Sequence, residues 1–300
     1  VAGAFIGFRG VKLLIRFPEV RDKFERVKVV ALDMDGTLLP DDKRISAYTV
    51  DTLSKLRDAG YVVCICSGRS FPGVYKYSQL HSIISYYICF EGGYVVDNTS
   101  GVPRVIHSDP VPRDRLMAIV GEAERENVMT ALLCDQFGYC ASCRGDIVAS
   151  VRVWGAVPIE RNYSALKNLH ESENVFIILI YGSPAQIENI VRSQNASLEK
   201  DFDVINTYLD YKKMQHLILK ARNVNKLMGI ELVLKRLGMS AENLMAFGDW
   251  HNDMQLISGA GVGVAMKNAE NEILEVASFV TDFTNNNDGV ARFINENVLV

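Results

Sequence analysis

The chain has 300 residues, 48% of them apolar and 23% charged, with a formal net charge of −4. That balance is ordinary for a soluble globular protein and long enough to bury a large core in one domain or two. It gives no support to a nucleic-acid partner, which needs a concentrated basic surface. Five histidines argue against a zinc site built mainly on imidazole. No run approaches the roughly 20 apolar residues that span a bilayer, so no membrane partner is expected.

The opening segment, residues 1–26, is apolar and basic and is broken by Gly7, Gly10 and Pro18. It reads as an extension packed on the body, or as the remnant of a transit segment, since no acidic residue precedes Glu19. The missing initial methionine is what a trimmed or partial chain would show. A cytoplasmic location is expected, or an organellar one if the extension is a targeting remnant.

From Val27 a β/α rhythm begins. "VKVVALD" is an apolar strand of the kind covered on both faces in a parallel sheet. Ser46 can cap a helix whose apolar positions Val50, Leu53 and Leu56 recur at helical spacing, and Gly60 ends it. "YVVCICS" is a second buried strand, Ser70 to Leu80 a short helix, and "YYICFEGG" a third strand. Between about Asp97 and Leu219 the pattern changes to polar loops, helices near Arg113–Arg125 and Pro184–Arg192, and short strands such as "IVASVRVWG" and "VFIILIYG". Such alternation with frequent turns predicts an α+β insertion. The β/α rhythm resumes with a helix from Lys226 to Leu237, the strand "NLMAFGD", a helix after Asn252, the strand "GVGVAM" and a helix from Ala269. No internal repeat or low-complexity tract is apparent.

Six cysteines in this length do not make a disulfide framework. Cys64, Cys66 and Cys89 read as buried hydrophobes, and Cys134, Cys140 and Cys143 lack a nearby fourth ligand for a metal site. Whether that trio has a redox role is open. The sequons at Asn98, Asn162 and Asn195 are expected to be chance.

Four short segments at strand ends or helix starts carry the chemistry, where open parallel sheets bind their ligands. "DMDGTLL" places Asp33 and Asp35 after the first strand; extended alternation would point both carboxylates into one volume. In "CSGRS", Ser67 and Gly68 offer a hydroxyl and an N–H to an anion. "NVNK" puts Lys226 at a helix start, where a cation opposes the helix dipole unless a bound phosphate offsets it. "GDWHND" brackets a strand–helix junction with Asp249 and Asp253, with Asn252 between. Read alone, these are a capped turn, an N-cap, a surface lysine and dipole-favoured acids. Together, four carboxylates at two adjacent strand ends make a hard-oxygen site suited to magnesium rather than zinc or copper.

In this order the four segments resemble the haloacid dehalogenase-like hydrolase superfamily, and within it the Cof-type phosphatases with a class 2, subtype B cap. The segments "GVGVAMKNA" and "TDFTNNNDGVARFI" are similar to the tail of that family, and the likeness covers about Val27 to Ile294. The resemblance implies an α/β fold: a Rossmann-like parallel-sheet core of residues 27–96 plus 220–300, with an inserted α+β cap of 97–219. It implies Asp33 as nucleophile and Asp35 as general acid/base, the latter with a pKa pushed up by neighbouring negative charge. Met34, Ser67, Gly68, Lys226 and Asn252 would bind phosphate. Mg²⁺ would be held by Asp33, the Asp35 carbonyl and Asp249, supported by Asp253.

The expected activity is magnesium-dependent hydrolysis of a small phosphorylated metabolite, a sugar phosphate first, through an aspartyl-phosphate. A sugar phosphomutase and a catalytically weak phosphosugar-binding regulator stay open beside it. Cap residues Arg144, Arg152 and Trp154 are candidates for substrate selection, by pairing an anion or stacking on a ring. The sequence departs from the family pattern at Ser67 (commonly Thr), at Trp250-His251, bulky groups that would narrow the entrance, and at Glu91, where an amide is usual.

Overall fold

The computed structural model describes residues 18–142, 144–194, 198–209 and 213–299. Among the described residues, fourteen strands build two sheets. The larger has the order β14-β13-β12-β1-β2-β3-β4-β5. In chain order its strands are β1 (Val29–Leu32), β2 (Val62–Cys66), β3 (Ile84–Cys89), β4 (Tyr94–Asp97) and β5 (Arg104–Ser108), then β12 (Leu244–Gly248), β13 (Val262–Ala265) and β14 (Phe279–Val280). From β14 to β3 every pairing is parallel; β4 and β5 add an antiparallel edge.

Every residue of β1 is fully buried because helices cover both faces. Val30 and Leu32 pack with Leu53, Leu56 and Phe293, from the helices Ala47–Asp58 and Gly289–Asn297. Val29 and Ala31 pack with Ile230, Val233 and Leu234, from the helix Lys226–Leu237. Ser46 caps the first of these helices, accepting from Thr49 N–H at 3.0 Å, and Gly60 (φ +88°) follows its end. The helix Pro18–Arg26 seats Phe24 against Phe279 and Phe293, so this part of the extension is packed on the body. Residues 1–17 lie outside the described residues.

The second sheet has the order β10-β11-β9-β6-β7-β8, antiparallel except for β7–β8. Its strands are β6 (Met129–Cys134), β7 (Phe137–Ala141), β8 (Val157–Glu160), β9 (Val175–Gly182), β10 (Phe202–Leu209) and β11 (Met214–Ala221). The helices Arg113–Arg125 and Pro184–Ser193 cover one face, while the helix Gly145–Val153 lies on the other, toward the larger sheet. This is the α/β core with a separate α+β cap sheet that the sequence leads one to expect. By strand pairing the core sheet takes in Arg104–Ser108, and the cap sheet runs from Met129 to Ala221.

One element differs in kind. "IVASVRVWG" is not a strand: Gly145–Val153 is a helix with Ile147 and Val151 buried, and Trp154 follows it. Its β-branched residues favour a strand locally, but the apolar positions four apart fit a helical stripe that packs between the sheets.

The two bodies meet closely. Phe90, just after β3, stacks on Phe176 of β9 with centroids 4.6 Å apart. Ser70 N–H donates to the Trp154 carbonyl at 2.8 Å. A Cβ on Gly73 would lie 2.7 Å from the Cα of Gly155, so this contact requires glycine.

Candidate active site

β1 lies between β12 and β2, so three neighbouring parallel strands end together. Asp33 follows β1, Ser67 follows β2 and Asp249 follows β12. Asp33 N–H donates to the Phe247 carbonyl at 3.1 Å, and Ser67 N–H to the Ile88 carbonyl at 2.8 Å, which fixes these exits to their neighbours. The turn after Asp33 passes through Gly36, whose φ of +82° suits glycine. An added Cβ there would run into the Asp249 carboxylate.

Lys226, fully buried at the start of its helix, donates to Asp33 Oδ1 and Asp253 Oδ1, each at 2.6 Å. Burial opposes its charge, but Asp253 and Asp33 outweigh that and hold the ammonium well above its ordinary range. The same pair of acids offsets the unfavourable helix dipole. Asn225 caps the helix, accepting from Met228 N–H at 2.9 Å. Asp253 spends its other oxygen on the N–H groups of Asp249 (3.0 Å) and Trp250 (3.2 Å), fixing the loop that carries Asp249. Thr37 donates to Asp249 Oδ1 at 2.6 Å.

Asp33, Asp249 and Asp253 are buried with ligand-type oxygens within 4.8 Å of one another. Three carboxylates thus face one ammonium. Burial, then the Asp253 charge, pushes Asp33 up against the opposing pull of Lys226. Asp249 is pushed up to about 6, first by burial, and by Asp253 against the hydrogen bond from Thr37. A divalent hard cation would relieve that surplus of negative charge, and the all-oxygen donor set fits one. Since Asp253 is committed to Lys226 and to backbone, Asp33 and Asp249 are the carboxylates left to meet it.

Asp35 departs from expectation. The strand ends at Leu32, so Asp35 sits in a turn where strand alternation no longer holds. Its carboxylate turns to Arg69, which donates at 2.6 and 2.7 Å, and to Lys43 at 2.7 Å. Burial works against its charge, but these hydrogen bonds outweigh it and hold the carboxyl at about 2. The expected upward shift is therefore reversed, because two cations hydrogen-bond the Asp35 carboxylate.

Ser67 and Gly68 lie beside this cluster, and Ser67 Oγ accepts from Arg69 N–H at 3.2 Å. Asn252 donates to Glu91 Oε1 at 2.9 Å. Met34 is fully buried in the core with its backbone in the turn between Asp33 and Asp35. From the cap, Trp154 reaches the site: a Cβ on Gly68 would lie 3.1 Å from its Cζ3. Arg144 and Arg152 are exposed, at the N-cap and in the last turn of the helix Gly145–Val153. Trp250 is 53% exposed on the turn after Asp249, with His251 beside it facing Glu270 and Glu272.

Sequence reasoning missed Thr37, Lys43, Glu91 as a partner of Asn252, and the Arg69–Asp35 pair. For Arg69 the only signal was its place next to Gly68; for Lys43 there was none. Cys134 and Cys140 belong to packing clusters on opposite faces of the cap sheet, and Cys143 and Asn195 lie outside the described residues.

Residues 30–294 match the family model of the haloacid dehalogenase-like hydrolases. The chain belongs to this family. The hydrolase is 30% identical over 277 residues to the 5-amino-6-(5-phospho-D-ribitylamino)uracil phosphatase YitU of Bacillus subtilis, covering 89% of this chain and 96% of that one. It is 23% identical over 269 residues to the pyridoxal phosphate phosphatase YbhA of Escherichia coli, covering 89% and 97%. Among solved structures, a haloacid dehalogenase-like hydrolase from Bacteroides thetaiotaomicron superposes with a TM-score of 0.77 at 23% identity, over 90% of this chain and 98% of that one. TM0651 of Thermotoga maritima gives 0.76 at 23% identity, over 90% and 97%. The hydrolase is thus a Cof-type member of an enzymatic phosphatase family, and its buried Asp33, Asp249 and Asp253 are the acidic arrangement typical of that family's metal site. Among the described residues no helix is long and apolar enough to cross a membrane.

Proposed function

We propose that the protein is a magnesium-dependent phosphatase of small phosphomonoesters, sugar and polyol phosphates first, acting through an aspartyl-phosphate on Asp33. The observation that carries this reading is Asp33 itself, buried at a strand end, hydrogen-bonded to Lys226 and set beside Asp249. The phosphoribityl compound named for the YitU relative supports the substrate class.

Ser67, Lys226, Asn252 and the N–H groups of Met34 and Gly68 hold the phosphoryl oxygens. Asp33, Asp249 and the Asp35 carbonyl would hold Mg²⁺, with Asp253 orienting Asp249. The cation, when bound, neutralises phosphoryl charge and makes phosphorus open to attack. Asp33 then attacks phosphorus and the ester oxygen departs with a proton from Asp35; water, giving its proton to Asp35, attacks the aspartyl-phosphate and frees phosphate. Asp35 is ionised in its pairing with Arg69 and Lys43. That state suits it to take the proton from water. To donate one it must be released, and an incoming phosphate dianion competes for the same two cations.

The cap closes over the site and excludes bulk water. We take its division from the core to lie between the two sheets, at residues 109–112 and 222–225, where the sequence alone put the limits at 97 and 219. Activity on p-nitrophenyl phosphate should vanish with EDTA and return with magnesium; full activity in metal-free protein refutes the reading. A phosphate-release screen over hexose, pentose, polyol, nucleotide and pyridoxal phosphates then fixes the class. A substrate set restricted to nucleotides would remove the sugar assignment.

A further inference from the structure

The proposed chemistry gives Glu91 no task, yet the fold places it with care. It follows β3, the neighbour of β2, and is only 6% exposed. Its backbone is left-handed (φ +60°, ψ 19°), a conformation rare outside glycine and asparagine. Two hydrogen bonds tie this turn to the phosphate loop: Glu91 N–H to the Ser67 carbonyl at 3.1 Å, and Phe90 N–H to the Arg69 carbonyl at 3.0 Å.

The carboxylate is thereby delivered over Gly68. A side chain on Gly68 would collide with Glu91 Oε1, and on its other side would lie 3.1 Å from Trp154 Cζ3. Oε1 accepts from Asn252 at 2.9 Å. Oε2 is buried and has no hydrogen-bond partner among the described residues. A buried carboxylate oxygen without a donor is costly, and such groups are kept where a ligand supplies the donor. The carboxylate lies against Gly68, whose N–H the proposed chemistry gives to phosphate.

We propose that Glu91 selects the substrate. Its Oε2 accepts a hydrogen bond from a hydroxyl or protonated amine on the organic part of the phosphomonoester, close to the phosphate. The same charge turns away substrates with a second phosphate or a carboxylate at that place. This rests on reading the site as a phosphomonoesterase. Asn252, held by Oε1, keeps its amide toward the phosphate, so one side chain links phosphate binding to recognition of the leaving group.

The test compares kcat/KM of wild type and Glu91→Gln on three magnesium-supported substrates. Glutamine keeps the shape and an oxygen for Asn252, but puts an N–H where Oε2 stands. Ribitol 5-phosphate, rich in hydroxyls, should lose about 10- to 100-fold, as for a charge-assisted hydrogen bond. p-Nitrophenyl phosphate, which has no donor there, should lose less than about threefold. 2-Phosphoglycolate, with a carboxylate close to its phosphate and no hydroxyl, should gain relative to both. Glu91→Asn, whose side chain tolerates the left-handed backbone, gives the same ranking should the glutamine variant fold poorly. Equal losses on all three substrates would reduce Glu91 to a support for Asn252 and overturn the proposal. So would wild type that hydrolyses p-nitrophenyl phosphate but no hydroxyl- or amine-bearing monophosphate. Wild type inert toward every phosphomonoester would instead bring down the phosphatase reading beneath it.

Discussion

At the scale of single residues, the surplus of buried negative charge is the feature with the most direct consequences. Asp249, pushed up to about 6 from an ordinary 3.8, keeps its proton in the folded state over a range where the unfolded chain has lost it. Stability of the metal-free protein therefore falls as pH rises from about 4 to about 6. A proton also competes with magnesium below that point. Calorimetry should find apparent magnesium affinity dropping by up to about tenfold per pH unit below pH 6, with proton release on binding; flat affinity between pH 5 and 7.5 would contradict it. Gly36→Ala should place its Cβ in the Asp249 carboxylate at a strained φ of +82°. We expect activity to fall at least about a hundredfold, the scale of a misplaced catalytic group; near-normal turnover would show that Asp249 is not held as described. Asp33, Ser67 and Asp249 were legible because buried strand runs end in them, and Lys226 because a cation at a helix start is out of place. The state of Asp35 was not. Its partners Lys43 and Arg69 come from other segments, and no local spacing announces a pairing made by the fold.

At the scale of elements, parallel strands read well because continuous apolar runs such as "VVAL" and "VVCIC" are dictated by burial on both faces. The helix Gly145–Val153 read badly because its β-branched residues argue for a strand while its partners, the two sheets, are far away in sequence. The helix Lys226–Leu237 shows the opposite case. A lysine at its first position looked wrong locally, and the reason is the buried pair with Asp33 and Asp253. Lys226→Ala should abolish turnover and cost about 3–5 kcal/mol in denaturant unfolding, the penalty for orphaning buried charges. A loss below about 1 kcal/mol would mean the acids simply take up protons. The aromatic stack of Phe90 on Phe176 joins β3's exit to the cap. Phe176→Ala should cost about 3–5 kcal/mol and raise KM more than it lowers kcat, since it loosens the cap without touching the reacting groups. An unchanged KM would separate cap packing from substrate binding.

At the scale of the whole molecule, one apolar cluster runs from Leu32 and Leu53 in the core through Phe90 to Phe176 and Leu179 in the cap. The cap is thus seated on the strand ends that carry the carboxylates. Its α+β character was legible from the change of rhythm after Asp97; its strand order was not, because antiparallel partners such as β9 and β11 are set by packing rather than by local pattern. On the proposed reading, selection of substrate belongs to the surfaces that meet over Gly68. Trp154→Ala should change the ranking of kcat/KM among phosphates, whereas the exposed Arg144 and Arg152 should change it only for substrates with a distant anionic group; an identical ranking in all three variants would dismiss the cap residues. The central claim is a covalent phosphate on Asp33, and trapping it is the most direct test. Protein turning over p-nitrophenyl phosphate with magnesium is quenched in acid, reduced with borohydride and mapped by peptide mass spectrometry. We expect the reduced acyl-phosphate product, homoserine, at position 33. The same product at another carboxylate, or none while turnover proceeds, would contradict the account.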